Sequence, residues 1–229
     1  EEVSFRIEMI KLETKRGARL AHCPGVTMDM LTEGALALTR EEYAEMINTS
    51  RHLLLALEGV TEISITNPFG TSVTFSVEGR TFFTDTKVDR KLMKWVNLPV
   101  GEVTVAPIEN SMNGHIVASA AGGIGIIKEN VEIEIENGVV RAVKCSNDIV
   151  KERITKVLST DTMSGIVGEF AIGVNKRARI IEEFLETEKV YGTAHIAFGN
   201  NEDFPGGRNT SRTHIDFLII EPTIVVKYR

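Results

Sequence analysis

The stretch Val131-Glu-Ile-Glu-Ile-Glu-Asn137-Gly138-Val-Val-Arg-Ala-Val143 carries the clearest structural signal in this chain of 229 residues. Apolar residues alternate with glutamates up to Asn137. This period of two predicts a strand with one buried and one exposed face. Asn137-Gly138 accepts the positive φ angles of a type I′ turn, so the stretch is predicted to form an antiparallel β-hairpin.

Further strands are predicted on both sides of this hairpin. Thr61–Thr66 and Thr71–Val77 have strand-like patterns and are separated by the turn Asn67-Pro68-Phe69-Gly70. The segment 214–228 is rich in β-branched and apolar residues, and Val3–Cys23 is predicted to contain one or two strands. The glycine-rich run 122–125 lacks the spacing of a dinucleotide or phosphate loop, and we interpret it as a turn beside a site.

Helices are predicted where apolar residues recur every three or four positions after a capping residue. Thr27 and Thr39 are candidate N-caps, the second followed by a helix that ends at Gly59. Asp148 is expected to cap a helix to about Leu158, and Asn175 another to about Glu186. No repeat or low-complexity linker interrupts the pattern. The sequence therefore predicts an α+β fold, a compact single domain over residues 1–229 with antiparallel or mixed sheets and a few helices.

Composition and charge exclude several classes of protein. The formal charge is −6, and a net negative chain without a basic cluster is a poor binder of nucleic acid. No apolar stretch approaches the roughly 20 residues of a membrane-spanning helix, and no signal peptide is visible. Only two cysteines occur, far apart, so we expect free thiols and a cytoplasmic location.

Two histidines and an aspartate lie in strand-like runs where metal ligands are plausible. His214 and Asp216 are two residues apart, so their side chains project from the same face of a strand. His195 lies within the apolar, glycine-bounded run 192–199. Imidazole and carboxylate are the usual ligands of Zn²⁺, Fe²⁺, Co²⁺ and Mn²⁺. A structural polar pair or a satisfied core histidine is the alternative for each of these groups taken alone.

Two glutamates have similarly apolar, glycine-rich surroundings. Glu102 follows Leu98-Pro99-Val100-Gly101, and Glu169 lies between Gly168 and Phe170. A carboxylate buried there needs a metal or another cationic partner, whereas an exposed strand-end glutamate needs none. The alternating glutamates of the hairpin, by contrast, are expected to face solvent.

Four motifs resemble the M29 family of metallo-aminopeptidases, which includes aminopeptidases T and S. They are Asn97-Leu-Pro-x-Gly101-Glu102-Val, Gly168-Glu169-Phe-Ala-x-Gly173-x-Asn175, Gly192-Thr-Ala-His195-Ile-Ala-x-Gly199 and His214-x-Asp216. The resemblance implies a metal site at strand ends, with Glu102, Glu169, His195, His214 and Asp216 as ligands and both glutamates as catalytic groups. It also implies two divalent ions (Zn, Co or Mn), small peptides as substrates and a homodimer. The family's usual N-terminal domain is expected to be absent or cropped.

A related branch resembles 2,5-dihydroxypyridine 5,6-dioxygenase and offers an alternative function. In that branch His195, His214 and Asp216 would hold one Fe(II), and the substrate would be a small aromatic molecule. The short interval from His195 to His214, and the lack of a tyrosine that the peptidases carry shortly after the matching histidine, favour this branch or a non-catalytic relative. The presence of both glutamates favours the dinuclear hydrolase. Arg212, on a polar loop before His214, is a candidate substrate-binding residue.

Overall fold

The computed structural model describes residues 9, 12, 13, 15, 20–87 and 95–229. Within this part the helices are α1 (Met28–Thr32), α2 (Arg40–Ala56), α3 (Asp148–Leu158) and α4 (Phe184–Thr187). The strands are β1 (Leu20–His22), β2 (Val60–Thr66), β3 (Ser72–Ser76), β4 (Phe83–Thr84), β5 (Trp95–Asn97), β6 (Glu102–Val105), β7 (Asn113–Ala121), β8 (Gly125–Glu136), β9 (Val139–Lys144), β10 (Val167–Gly173), β11 (Ala194–Gly199), β12 (His214–Ile219) and β13 (Thr223–Tyr228).

One large sheet dominates these residues and confirms the α+β prediction. Eleven strands belong to it, in the order β13-β2-β3-β7-β12-β11-β10-β6-β4, with β8 paired to β7 and β9 paired to β8. Every pairing in this sheet is antiparallel, whereas β1 and β5 form a separate parallel pair. Strands distant in sequence therefore become neighbours, which brings β6, β10, β11 and β12 side by side.

The predicted hairpin is present as β8 and β9. Asn137 and Gly138 have φ angles of 50° and 75°, which are the positive values of a type I′ turn. Val131, Ile133 and Ile135 are buried in the core, while Lys144 on β9 forms ion pairs with Glu132 and Glu134 on the outer face. The alternation therefore sorts the side chains as the sequence predicts.

The helices agree with the sequence in three of four cases. Thr39 and Glu42 form a reciprocal capping box at the start of α2, and Thr27 caps α1. Asn147 rather than Asp148 caps α3, since its side chain accepts hydrogen bonds from Ile149 and Val150.

The helix predicted from Asn175 to about Glu186 is wrong. This segment forms turns, and only Phe184–Thr187 is helical. The Asn175 side chain donates to the carbonyls of Ala35 and Val100 and thereby ties distant segments together, although it also accepts from Arg177 as a cap would. Tertiary hydrogen bonds have replaced the helix here.

The strands β10, β11 and β12 divide their side chains between two faces. Phe170, Ile196, Phe198 and Phe217 are fully buried on one face, in the main apolar core. Aromatic pairs link them across the strands, with ring centroids 5.9 Å apart for Phe198 and Phe217. Because side chains alternate along a strand, the residues between them face the opposite side.

Two further expectations concern the chain as a whole. Both cysteines are free, as predicted. No helix among the described residues is long and apolar enough to cross a membrane. Of the strands predicted within Val3–Cys23, β1 is present. The described residues Met9, Leu12, Glu13 and Lys15 are helical, so the strand prediction is wrong there, and the rest of the segment before Leu20 lies outside the described residues.

Candidate metal centre

Four adjacent strands bring five sequence-predicted residues to one face of the sheet. Glu102 begins β6, Glu169 lies on β10, His195 lies on β11, and His214 and Asp216 lie on β12. In the register of these strands Glu102 lies opposite Gly173, and His195 lies opposite Ala171. Ala197 on β11 lies between Glu169 on one neighbouring strand and Asp216 on the other. The polar residues thus alternate with alanine and glycine across the strands, which leaves room above the sheet for their side chains.

Glu169 is the central residue of this cluster. Its Oε2 lies 3.1 Å from His214 Nε2, and its Oε1 lies 3.7 Å from His195 Nε2. Thr104 on β6 donates a hydrogen bond of 2.7 Å to Oε1 and fixes the carboxylate further. One buried carboxylate therefore presents its two oxygens to two different imidazoles.

His214 is held in the orientation that a metal ligand needs. Its Nδ1 lies 2.7 Å from the carbonyl oxygen of Asn200, so Nδ1 carries the proton that is donated. In the metal-free cluster Nε2–H donates towards Glu169 and Asp216, with Asp216 Oδ1 at 3.2 Å, and loss of this proton would leave Nε2 free to bind a metal. Such a backbone partner behind the ring sets the tautomer of ligating histidines in many metalloproteins. The Gly122 N–H donates to the Asp216 carbonyl at 2.9 Å, so the glycine-rich turn lies beside the cluster.

The opposite end of the cluster contains a buried lysine. Lys189 is only 2% exposed, and its Nζ lies 2.6 Å from Glu102 Oε1 and 2.8 Å from Glu188 Oε1. Asp85 lies 3.5 Å from the same Nζ and accepts hydrogen bonds from the backbone of Gly101 and Glu102. Three carboxylates therefore surround one ammonium group.

Two buried polar atoms of the cluster have no hydrogen-bond partner among the residues that the structure describes. They are Glu102 Oε2, which lies 3.4 Å from His195 Nε2, and His195 Nδ1. Leaving such atoms unsatisfied is costly. Three groups of potential ligands have donor atoms within 4.8 Å of one another: Glu102, Glu169 and His195; Glu169, His214 and Asp216; and Glu188, His195 and Asp216. The donors therefore fit divalent metal, which would satisfy the unpartnered Glu102 oxygen.

In the metal-free cluster the pKa values favour protonated histidines and a protonated Glu102. Burial alone lowers the pKa of His195, but Glu169 and Glu102 outweigh it and raise that pKa to about 9. Burial lowers the pKa of His214 too, yet Asp216 and Glu169 hold it well above its usual value. Burial raises the pKa of Glu102 to about 8, despite Lys189. Burial also raises the pKa of Glu169, but its two histidine partners bring it well below the usual value.

One predicted site residue does not join the cluster. The Arg212 guanidinium donates to the carbonyl of Thr160 and lies 3.9 Å from Asp161, and its side chain is 78% exposed. Among the described residues it has no hydrogen bond or ion pair with the five clustered side chains. The loop before His214 turns this arginine towards the end of α3 instead, so the substrate-binding role predicted for it has no support from its contacts.

Sequence reasoning missed Asp85, Glu188 and Lys189. Glu188 and Lys189 follow the segment predicted to be a helix, and the run of charges there gives no sign of burial. Gly173 allows this segment to approach β10, since a Cβ there would overlap the carbonyl oxygen of Val190. Asp85 lies between two threonines, and nothing in the sequence around it indicates a buried carboxylate.

Fold and donor set together define a candidate divalent-metal site, and comparisons with known proteins identify the family. The model of the thermophilic metalloprotease (M29) family matches residues 40–228. The chain therefore belongs to the M29 family, and the resemblance stated from the four motifs is confirmed. No curated protein matches this sequence significantly.

Two solved structures have the same fold. A 2,5-dihydroxypyridine dioxygenase from Pseudomonas putida KT2440 superposes with a TM-score of 0.73 at 16% identity, over 95% of this chain. Wild-type AmpT from Thermus thermophilus superposes with a TM-score of 0.69 at 18% identity, over 98% of this chain. This chain spans 64% of the dioxygenase and 76% of AmpT. At these identities the likeness concerns the fold alone.

Proposed function

We propose that this protein is a metal-dependent aminopeptidase that releases N-terminal residues from small peptides through a dinuclear centre. Membership of the M29 family supports metal-dependent hydrolysis. The proposal extends to Zn, Co or Mn as the ions and to a homodimer, which the family resemblance implies, and to a cytoplasmic location, which the two free cysteines indicate.

The carboxylate of Glu169 is the observation that carries the two-metal proposal. Its two oxygens face His195 and His214 separately. Two of the three ligand groups share Glu169, one completed by Glu102 and His195 and the other by His214 and Asp216. A shared carboxylate between two sets of ligands is what a pair of neighbouring cations requires.

The charges of the cluster support two divalent ions. Five carboxylates belong to it, from Asp85, Glu102, Glu169, Glu188 and Asp216, and Lys189 provides one positive charge. With both imidazoles neutral, four negative charges remain in a buried environment. Two divalent cations neutralise them, whereas one leaves an uncompensated charge that burial makes expensive.

The side chains have separable roles in this proposal. When bound, the cations polarise the scissile carbonyl and lower the pKa of the attacking water. Glu169 would link the two cation positions, which Asp216 and the histidines would complete. Glu102 would bind the ion at His195 through Oε2, while Lys189 holds its Oε1. Asn200 keeps His214 in the ligating tautomer.

Metal stoichiometry and peptidase activity of Glu169→Gln test the proposal. The wild type is expected to bind two metal ions per chain after reconstitution and to hydrolyse amino-acid p-nitroanilides. Glu169→Gln should reduce the stoichiometry towards one and abolish hydrolysis, because the shared ligand is lost. Glu136→Gln is the matched control, since Glu136 is exposed and pairs only with Arg141 among the described residues.

A single metal in the wild type, without hydrolysis in the presence of Zn²⁺, Co²⁺ or Mn²⁺, would contradict the proposal. Oxygen consumption by the Fe²⁺-loaded protein with a dihydroxylated aromatic would then identify the dioxygenase alternative. In that case Glu169→Gln would keep its one metal ion, since His195, His214 and Asp216 would suffice to bind it.

A further inference from the structure

Lys189 lies beside Glu102, at one end of the cluster. Its Nζ lies 2.6 Å from Glu102 Oε1, so one of the two oxygens of this predicted ligand is already occupied by a cation. The other oxygen, Oε2, is buried, unpartnered and directed at His195. Glu102 can therefore offer a single oxygen to a metal without breaking a buried ion pair.

The other end of the cluster has a different electrostatic environment. Within the described ranges, no lysine or arginine forms an ion pair with Glu169, His214 or Asp216, whose charged partners are each other and His195. His214 is oriented in advance by the Asn200 carbonyl, whereas His195 Nδ1 has no hydrogen-bond partner. The donor atoms at this end of the cluster are thus free of a competing lysine or arginine, and His214 is already oriented.

A fixed positive charge in a buried site repels an incoming dication and competes with it for shared carboxylates. Both effects act more strongly on a cation held by Glu102, His195 and Glu169 than on one held by Glu169, His214 and Asp216. The reason is that Glu102 alone among these five side chains forms an ion pair with Lys189. Lys189 cannot move away from this position cheaply, since it is paired with Glu188 as well and is almost completely buried.

We infer that Lys189 makes the two metal positions unequal, so that the position at His214 and Asp216 fills first and the position at Glu102 and His195 binds a weaker, exchangeable ion. This inference rests on the two-metal centre proposed above. It makes Lys189 a positioning residue: it holds Glu102 by one oxygen and sets how tightly the second ion binds.

Titration of the metal-free full chain with Mn²⁺ or Co²⁺, followed by calorimetry or equilibrium dialysis, tests the inference. The wild type should show two classes of site whose dissociation constants differ by about tenfold or more, since tenfold corresponds to only about 1.4 kcal/mol. Lys189→Met should tighten the weaker class and leave the tighter one unchanged. Lys189→Arg, which keeps the charge, is the matched control and should preserve the difference.

A second pair of variants assigns the classes without touching the lysine. Glu102→Gln should remove the weaker class alone, and Asp216→Asn the tighter one. This pair keeps the inference testable if Lys189→Met does not fold, which circular dichroism would reveal. Loss of the tighter class in Glu102→Gln would overturn the inference.

The outcomes separate this inference from the proposed function. Two classes of equal affinity, unchanged in Lys189→Met, would overturn the inference and leave the dinuclear hydrolase intact. One ion in the wild type and two in Lys189→Met would support the role of the lysine and contradict the dinuclear hydrolase. One ion in both proteins would contradict both.

Discussion

Metal binding by this protein should release about three protons per chain at pH 7. The metal-free cluster holds protons on His195, His214 and Glu102, because negative neighbours and burial raise the pKa of each group. A metal ion binds only the neutral imidazole and the ionised carboxylate, so these protons must leave as it binds.

The size of the effect follows from the pKa values. With a pKa of about 9, His195 is neutral in about 1% of molecules at pH 7, which lowers the apparent metal affinity about 100-fold. Glu102, with a pKa of about 8, lowers the apparent metal affinity about a further tenfold. The proton on His214 lowers the apparent metal affinity at pH 7 as well, because the pKa of this histidine is also raised. The apparent affinity should therefore rise more than about 100-fold between pH 7 and pH 9.

Calorimetric titration in two buffers of different ionisation enthalpy measures the number of protons directly. His195→Ala should release about one proton fewer than the wild type. His115→Ala is the control. His115 lies on β7, its ring is hydrogen-bonded to the Gly70 carbonyl, and its replacement should not change the number of protons released. Proton release near zero at pH 7, or an affinity that does not change from pH 7 to pH 9, would refute the reasoning.

Two further predictions concern stability. The metal-free protein should lose stability as the pH rises from 6.5 through 9, because His195 binds its proton more tightly in the folded than in the unfolded chain. Added Mn²⁺ should reverse this loss. A melting temperature that stays constant across this pH range would contradict the prediction. Gly173→Ala should destabilise the fold by about 2 kcal/mol or more in urea unfolding, because its Cβ would overlap the Val190 carbonyl and push the Lys189 segment away from β10. Gly79→Ala, where a Cβ meets nothing and only a φ of 71° is strained, should cost about 1–2 kcal/mol; equal losses in both variants would contradict a steric cause.

Local patterns in the sequence were sufficient for most of the secondary structure. The Asn137-Gly138 turn and the capping box at Thr39 depend on neighbouring residues only, and both are present. The same holds for the shared direction of His214 and Asp216, which follows from strand alternation. The segment after Asn175 could not be predicted in this way. The Asn175 side chain donates hydrogen bonds to the carbonyls of Ala35 and Val100, which are distant in sequence.

The sequence by itself therefore determined the fold class, the family and the five ligand-type residues on their strands. The tertiary structure decided which of them meet: it aligned β6, β10, β11 and β12, and it turned Arg212 away to Thr160. It alone placed Asp85, Glu188 and Lys189 beside Glu102. The physical reason is that buried charged side chains must lie close to groups of opposite charge. Which side chains are buried depends on contacts between distant segments, and local sequence patterns do not contain this information.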